Sequence, residues 1–157
     1  GPVYLRFGRP KVANFTPADE PFVIGKAQML QEGTDVTIFA CGHLVWKAVQ
    51  ALPILKEMGI NAELINIHTI KPLDVEAVIA SAKKTGCVVT AEEHQLNGGL
   101  FDSISQVLSM NCPTPIEPVA IFDQYGQSGT PDELMKHYHL DTDDIVEAAK
   151  RAIARKK

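Results

Sequence analysis

The run Val88-Val89-Thr90-Ala91-Glu92-Glu93-His94-Gln95-Leu96-Asn97-Gly98-Gly99-Leu100 sets two carboxylates and an imidazole between a β-branched stretch and a helical pattern. Side chains of these types can hold or move protons. The order predicts a strand ending in a polar loop that opens onto a helix N-terminus, where ligands and partners gather in open α/β sheets. Glu92 and Glu93 resemble an acid/base pair, yet neighbours on a strand face opposite ways, which argues against a dyad. One is expected to point inward, and the other to meet a partner or accept helix amides. Asn97 is expected to cap the helix, with Gly98 and Gly99 giving the backbone freedom for a sharp entry. Two readings of Glu92, Glu93, His94, Asn97, Gly98 and Gly99 stand together: they shape the fold, or they form an interface near a site.

Other candidates are weaker. Cys41-Gly42-His43 falls where a strand gives way to a helix, so a thiol there could act as an activated nucleophile. No third residue is placed to orient His43, and free cysteines are mostly buried, so packing is the expected role of Cys41. His137 and His139 are two apart on a helical segment and diverge, which argues against a shared metal. His43, His68 and His94 each end a strand and are expected to converge at one sheet edge. Arg6 and Arg9 could grip a phosphate with the bidentate guanidinium fork, or could be solvated arginines flanking an interdomain strand.

The elements that must position these residues follow from apolar periodicity. Strands are expected at 22–24 on an edge, then at 35–40, 62–67, 87–91 and 118–122. Helices are expected at 44–58, 75–83, 100–108, 131–138 and 143–155. Short apolar strands alternating with longer helices predict parallel βαβ units in an α/β fold. Asp74 reads as a helix cap with Leu73 and Val78 as a hydrophobic staple, and Thr130-Pro131-Asp132-Glu133 reads as a capping box. Asp141, Asp143 and Asp144 suit the positive end of the last helix dipole. Residues 8–21 carry three prolines and little periodicity, and read as a linker.

Composition narrows the function classes. A chain of 157 residues with 45% apolar and 22% charged residues suits one globular domain. A net charge of −4 gives no basic footprint, so nucleic acid is not an expected partner. Apolar runs fall far short of the roughly 20 residues that span a bilayer, and no leader pattern is read. Three scattered cysteines point away from a disulfide framework and toward a reducing, cytoplasmic setting. The chain opens on the strand-like run Pro2-Val3-Tyr4-Leu5-Arg6-Phe7, which reads as an excised fragment, although cleavage of a tag could also leave Gly1-Pro2.

Several motifs together resemble the C-terminal region of transketolase. They are Tyr4-Leu5-Arg6-Phe7-Gly8-Arg9-Pro10, Val36-Thr37-Ile38-Phe39-Ala40-Cys41-Gly42, Thr69-Ile70-Lys71-Pro72-Leu73-Asp74, Glu92-Glu93-His94 with Gly98-Gly99, and Ser128-Gly129. They occur in family order across nearly the whole chain. The Ile-Lys-Pro-Leu-Asp and Glu-Glu-His…Gly-Gly pieces mark the thiamine diphosphate superfamily, and the Arg-x-x-Arg-Pro opening tilts the choice toward transketolase.

The resemblance implies a three-layer α/β/α domain with a mixed, mostly parallel sheet of about five strands. It implies that 1–21 end a preceding pyrimidine-binding domain and linker, with the C-terminal domain at 22–157. It implies a parent enzyme of the pentose phosphate pathway that moves a two-carbon ketol unit between sugar phosphates. Thiamine diphosphate and a divalent metal such as Mg would be held by other domains, with none bound to this chain, which alone would be inactive. Arg9, and more weakly Arg6, would contact the sugar phosphate. Partners would be a second copy, as a homodimer, and the N-terminal transketolase subunit or domains. Rival readings are a deoxyxylulose-phosphate synthase, a 2-oxoacid dehydrogenase β subunit, or a non-enzymatic oligomerisation or regulatory module.

Overall fold

Strands and helices alternate along the chain, and the computed structural model describes residues 1–6 and 12–156. The strands are β1 (Gln28–Gln31), β2 (Val36–Ala40), β3 (Ala62–Asn66), β4 (Val88–Gln95) and β5 (Ile116–Ile121). They form one sheet in the order β1-β3-β2-β4-β5, parallel except for β1, which lies antiparallel on β3. The helices are α1 (Leu44–Glu57), α2 (Val75–Thr85), α3 (Leu100–Asn111), α4 (Pro131–His137) and α5 (Thr142–Ala154). This is the expected three-layer α/β/α arrangement with a mixed, mostly parallel sheet.

The two-residue period of the strands sorts their side chains into two cores. Val36, Ile38 and Ala40 of β2, Leu64 of β3, and Val89 and Ala91 of β4 pack with α1 and α5. Phe39, Ile65 and Val88 face the other side, against Val78 and Ala82 of α2 and Ile104 and Val107 of α3. Strand polar residues Thr37, Glu63, Thr90 and Glu92 are buried too, and by alternation all point to the α2/α3 side.

A carboxylate without exposed surface is costly unless it is paired. Glu63 accepts from the Thr37 hydroxyl at 3.1 Å and pairs with Lys84 of α2. Lys84 also reaches Glu32, just past β1, at 2.6 Å. Hydrogen bonds to Glu32 and Glu63 raise the lysine above its ordinary value. This clamp ties the edge strand to α2. Its sequence signal was an acid inside the apolar run of β3, which periodicity alone passes over.

Helix ends follow the expected chemistry. Asp74 accepts from Ala77 N at 3.3 Å and also from Ala27 N at 3.0 Å, so one cap holds both α2 and the approach to β1. Thr130 and Glu133 form a reciprocal capping box with Pro131 in the first turn, and Asp141 and Asp144 form another. Lys47 bonds Asp141 at 2.7 Å and joins α1 to α5. The basic end of α5 reaches back to the sheet: Arg155 bonds the Ile116 carbonyl, and Lys156 bonds the Asp35 carbonyl at 3.0 Å.

Beyond shifts of a few residues at the ends of α2, α3 and β5, three stretches differ from expectation. The edge strand is 28–31 and not 22–24, because residues 23–26 close a turn through Lys26 N to Val23 O, with Gly25 at φ 82°. Strand β4 continues past Ala91 to Gln95, since Gln95 pairs with Ile121 after an irregularity in the ladder. Glu92, Glu93 and His94 therefore sit on a strand and not in a loop. Residues 1–6 are irregular and exposed, without the strand structure that their β-branched and aromatic run suggested.

Glu117 on β5 generates a test of acid stability. Burial pushes its carboxyl up, but hydrogen bonds from Arg155 and Arg151 prevail and hold it below the ordinary carboxylate value. Below that ordinary value the unfolded chain binds more protons than the folded one, so stability rises with pH there. The contribution is complete above the unfolded pKa and is lost as the pH falls through the folded one. Glu117→Gln should flatten this acid limb in denaturant titrations while leaving the pH dependence above neutrality unchanged. An acid limb as steep in the variant as in the parent would refute the assignment.

Candidate functional site

From β2 the chain passes through α1 to β3 on one side, and from β3 through α2 to β4 on the other. The direction of winding therefore reverses between β2 and β4, and their carboxyl ends flank the crevice where open sheets bind ligands. A cavity of about 290 Å³ lies there, lined by Cys41, Gly42, His43, Ile70, Glu92, Glu93, His94, Gly98 and Gly99. Two motifs that are remote in sequence thus share one cleft.

Strand alternation gives the adjacent glutamates separate tasks. Glu92 points to the α2/α3 layer and is only 1% exposed. Its two oxygens accept the first amides of α3, Leu100 N at 2.6 Å and Phe101 N at 2.8 Å. Those donors would otherwise be orphaned, and a carboxylate also complements the positive end of the helix dipole. Glu93 points to the α1 layer and meets His43 Nδ1 at 3.0 Å, at the N-cap position of α1. The side chains of His43 and Glu93 are 39% and 48% exposed, so water reaches both. The pair was not evident from sequence, because only the fold opposes β4 to the start of α1.

The glycines make this capping possible. Gly99 is the N-cap residue of α3 and offers no side chain. A Cβ there would collide with the Glu92 carboxylate and would lie 2.9 Å from the Gln95 carbonyl. Gly98 has φ 81°, in the left-handed region that favours glycine, and its amide donates to Asp102 at 2.6 Å. Asn97 was expected as the cap and is not one: it is exposed, and Glu92 and Asp102 serve the helix entrance instead. The strand-borne carboxylate reaches α3 first, because Gly99 leaves it the room.

The cleft's chemistry is restrained. Burial, with a further push from Glu92, raises the Cys41 thiol to about 12, so it is not a thiolate near neutrality. Glu92 has both oxygens engaged and cannot serve as a base. His94 is exposed and donates its Nδ1–H to the Gln95 carbonyl at 2.9 Å. The accessible polar groups are therefore the His43–Glu93 pair and the far edge of His94. Convergence of three histidines holds only for His43 and His94. His68 instead packs against Phe22, with ring centroids 4.4 Å apart and planes tilted by 39°. Arg6 is exposed in the N-terminal segment, and Arg9 lies outside the described residues.

A diphosphate cofactor with its metal needs free N–H donors and a set of metal ligands. The α3 amides are already taken by Glu92, and Glu92 and Glu93 make the cleft acidic. Among the described residues no group of three His, Cys, Asp or Glu could hold a metal ion. The described residues do not fit such a group.

Glu92→Gln is expected to keep the fold and lose about 2 kcal/mol, because the amide nitrogen that replaces one carboxylate oxygen cannot accept from its helix N–H group. Gly99→Ala should cost at least as much by displacing the same side chain. Denaturant unfolding of the two variants measures both, and unchanged midpoints would contradict the capping role.

The transketolase C-terminal domain family matches residues 25–145. The 6-deoxy-6-sulfo-D-fructose transketolase subunit SqwH of Clostridium sp. is 43% identical over 156 residues, covering 99% of this chain and 48% of that protein. A subunit of the apulose-4-phosphate transketolase of Phocaeicola vulgatus is 42% identical over 149 residues, covering 94% and 47%. Among solved structures, a split-gene transketolase described as an inactive beta4 tetramer superposes with TM-score 0.90 at 39% identity, covering 93% of this chain and 48% of that one. The chain spans about half the length of the curated relatives it matches. With the family model covering residues 25–145, a superposing fold and this extent of identity, the chain belongs to the transketolase C-terminal domain family.

Proposed function

We propose that this chain is the C-terminal domain of a transketolase, in the position held by the second subunit of a split enzyme. The parent enzyme transfers a two-carbon ketol unit between sugar phosphates, as in the pentose phosphate pathway. Thiamine diphosphate, with a divalent metal such as Mg, supplies the carbanion stabilisation when bound elsewhere in the assembly. The observation that carries the assignment to this domain is the cleft itself. Its motif residues are committed to structure, Glu92 to α3 and Gly99 to Glu92, so the domain contributes shape and contacts in place of proton chemistry.

The domain's own role is assembly, with a second copy and with the N-terminal transketolase subunit. Support comes from exposed apolar side chains around the carboxyl end of the sheet, Phe22, Ile24, Ile70 and Phe122 among them. Arg9 holds the sugar phosphate, with Arg6 as the weaker candidate; the guanidinium fork matches a phosphate's oxygens. The segment 1–21 ends the preceding domain, and the cytoplasm is the expected site of action.

The test combines the full-length subunit with its cofactor-binding partner and follows ketol transfer from xylulose 5-phosphate. Activity should require both subunits, and this chain by itself should show none. Formation of 1-deoxy-D-xylulose 5-phosphate in place of ketol transfer would assign the parent to the synthase class instead. Within the active assembly, Arg9→Ala should raise KM for phosphorylated donors about tenfold or more, as for a lost charged hydrogen bond. The KM for unphosphorylated donors should stay unchanged, and equal effects on both would end the phosphate role.

A further inference from the structure

The sheet ends in two edge strands, β1 and β5. An edge offers a row of backbone N–H and C=O groups on which a further strand can pair. The sequence of β5 favours such pairing: in Ile116-Glu117-Pro118-Val119-Ala120-Ile121, every residue but Glu117 and Pro118 is a plain apolar one. The register tells which of its groups face outward. Ile116 lies opposite Val88, and the Val88 amide bonds the Pro115 carbonyl. Residues 115 and 117 therefore turn their groups to β4, and Ile116 turns its own N–H and C=O to the free side. Alternation along the backbone sends those of Pro118 and Ala120 the same way.

Each outward position is closed by a different means. The Ile116 carbonyl accepts from Arg155 Nη1 at 2.9 Å. The same nitrogen bonds Glu117, which also accepts from Arg151 Nε at 3.0 Å, so the acid keeps the arginine over the edge. Pro118, opposite Thr90, has no N–H to offer a further strand. At either neighbouring position a proline would remove a bond to β4; here it removes only a donor on the free side. Ala120 is 1% exposed, so the chain itself covers it. The other edge, β1, carries no proline. Joining β5 of one copy to β1 of the next would be a heterologous contact that repeats without closing, and copies would grow into a filament. Closing one of the two edges is enough to stop that growth.

We infer that Pro118 and Arg155 close the β5 edge to strand pairing, so that copies of this domain do not join sheet to sheet. The role goes beyond the assembly proposed above: it excludes one mode of self-association and provides no contact of its own. Glu117 serves it indirectly, by holding the guanidinium in place.

The experiment compares the full-length subunit with a variant carrying both Pro118→Val and Arg155→Ala, each alone and with the partner subunit. Sedimentation velocity follows size from micromolar to millimolar concentration, where exposed strand edges associate. Hydrogen exchange follows the backbone amide that the first substitution creates at position 118. The parent should reach a limiting assembly and stay there. The variant should grow past that size without a limit, and exchange at position 118 should slow at least about tenfold in the grown species, as for an amide taken into a ladder. Where circular dichroism shows that the double variant does not fold, Pro118→Thr with Arg155 intact carries the test, with slower growth of the same kind. A folded variant that keeps the parent's limiting size overturns the closure. Growth that leaves the amide at position 118 exchanging freely overturns it too, because the new contact would then lie elsewhere.

Discussion

The carboxyl end of the sheet is organised by one interaction: the Glu92 carboxylate, inside the sheet, accepting the first two amides of α3. Most helix caps come from the residue at the N-cap position, but here that residue is Gly99 and the acceptor arrives from the neighbouring strand. The arrangement is mutually dependent. Glu92 can be buried because the helix supplies two donors and a positive dipole end, and α3 can begin there because the carboxylate fills its entrance. Gly99 must lack a side chain for the two to meet. Strand, helix and loop are thereby fixed by one set of hydrogen bonds.

The same logic explains the pair of acids. A strand at a topological switch point has helices starting on both of its faces, and adjacent residues address one face each. Glu92 serves α3 on one side, and Glu93 meets His43 at the start of α1 on the other. Two adjacent acids thus tie both helical layers to β4. The Glu63–Lys84–Glu32 clamp, anchored on the buried Glu63, does similar work at the opposite margin of the sheet, holding β1 against α2.

Much of this was legible in the sequence. The alternation of short β-branched runs with longer helical patterns gave the layers, and Asp74, Thr130 and Asp141 marked helix starts through their own side chains. Adjacency alone predicted that Glu92 and Glu93 would diverge. Local signals failed where the deciding partner was remote. Asn97 looked like a cap because caps are local, but the acceptor came from seven residues before Gly99. Phe22-Val23-Ile24 looked like an edge strand, yet the ladder to β3 starts at Gln28, beyond a turn. Phe15 stacks on Trp46 of α1, and its proline-rich stretch gives no hint of this, because a single stack leaves no periodic pattern.

A helix N-terminus at a switch point is ordinarily where such folds hold anions, so its occupancy decides what the cleft can take. Glu92 closes that possibility at α3, and its charge makes a second anion in the cleft unfavourable. What remains accessible is a shallow, mostly apolar surface with a few polar groups: Ile70, the paired His43 and Glu93, and His94. Their polar atoms are largely satisfied within the domain, so covering them with another protein surface strands few hydrogen bonds. A site of this kind is poor ground for phosphate or metal and good ground for a protein contact. The motif that most resembles catalytic machinery is thus spent on holding strand and helix together, which fits the assembly role proposed for the domain.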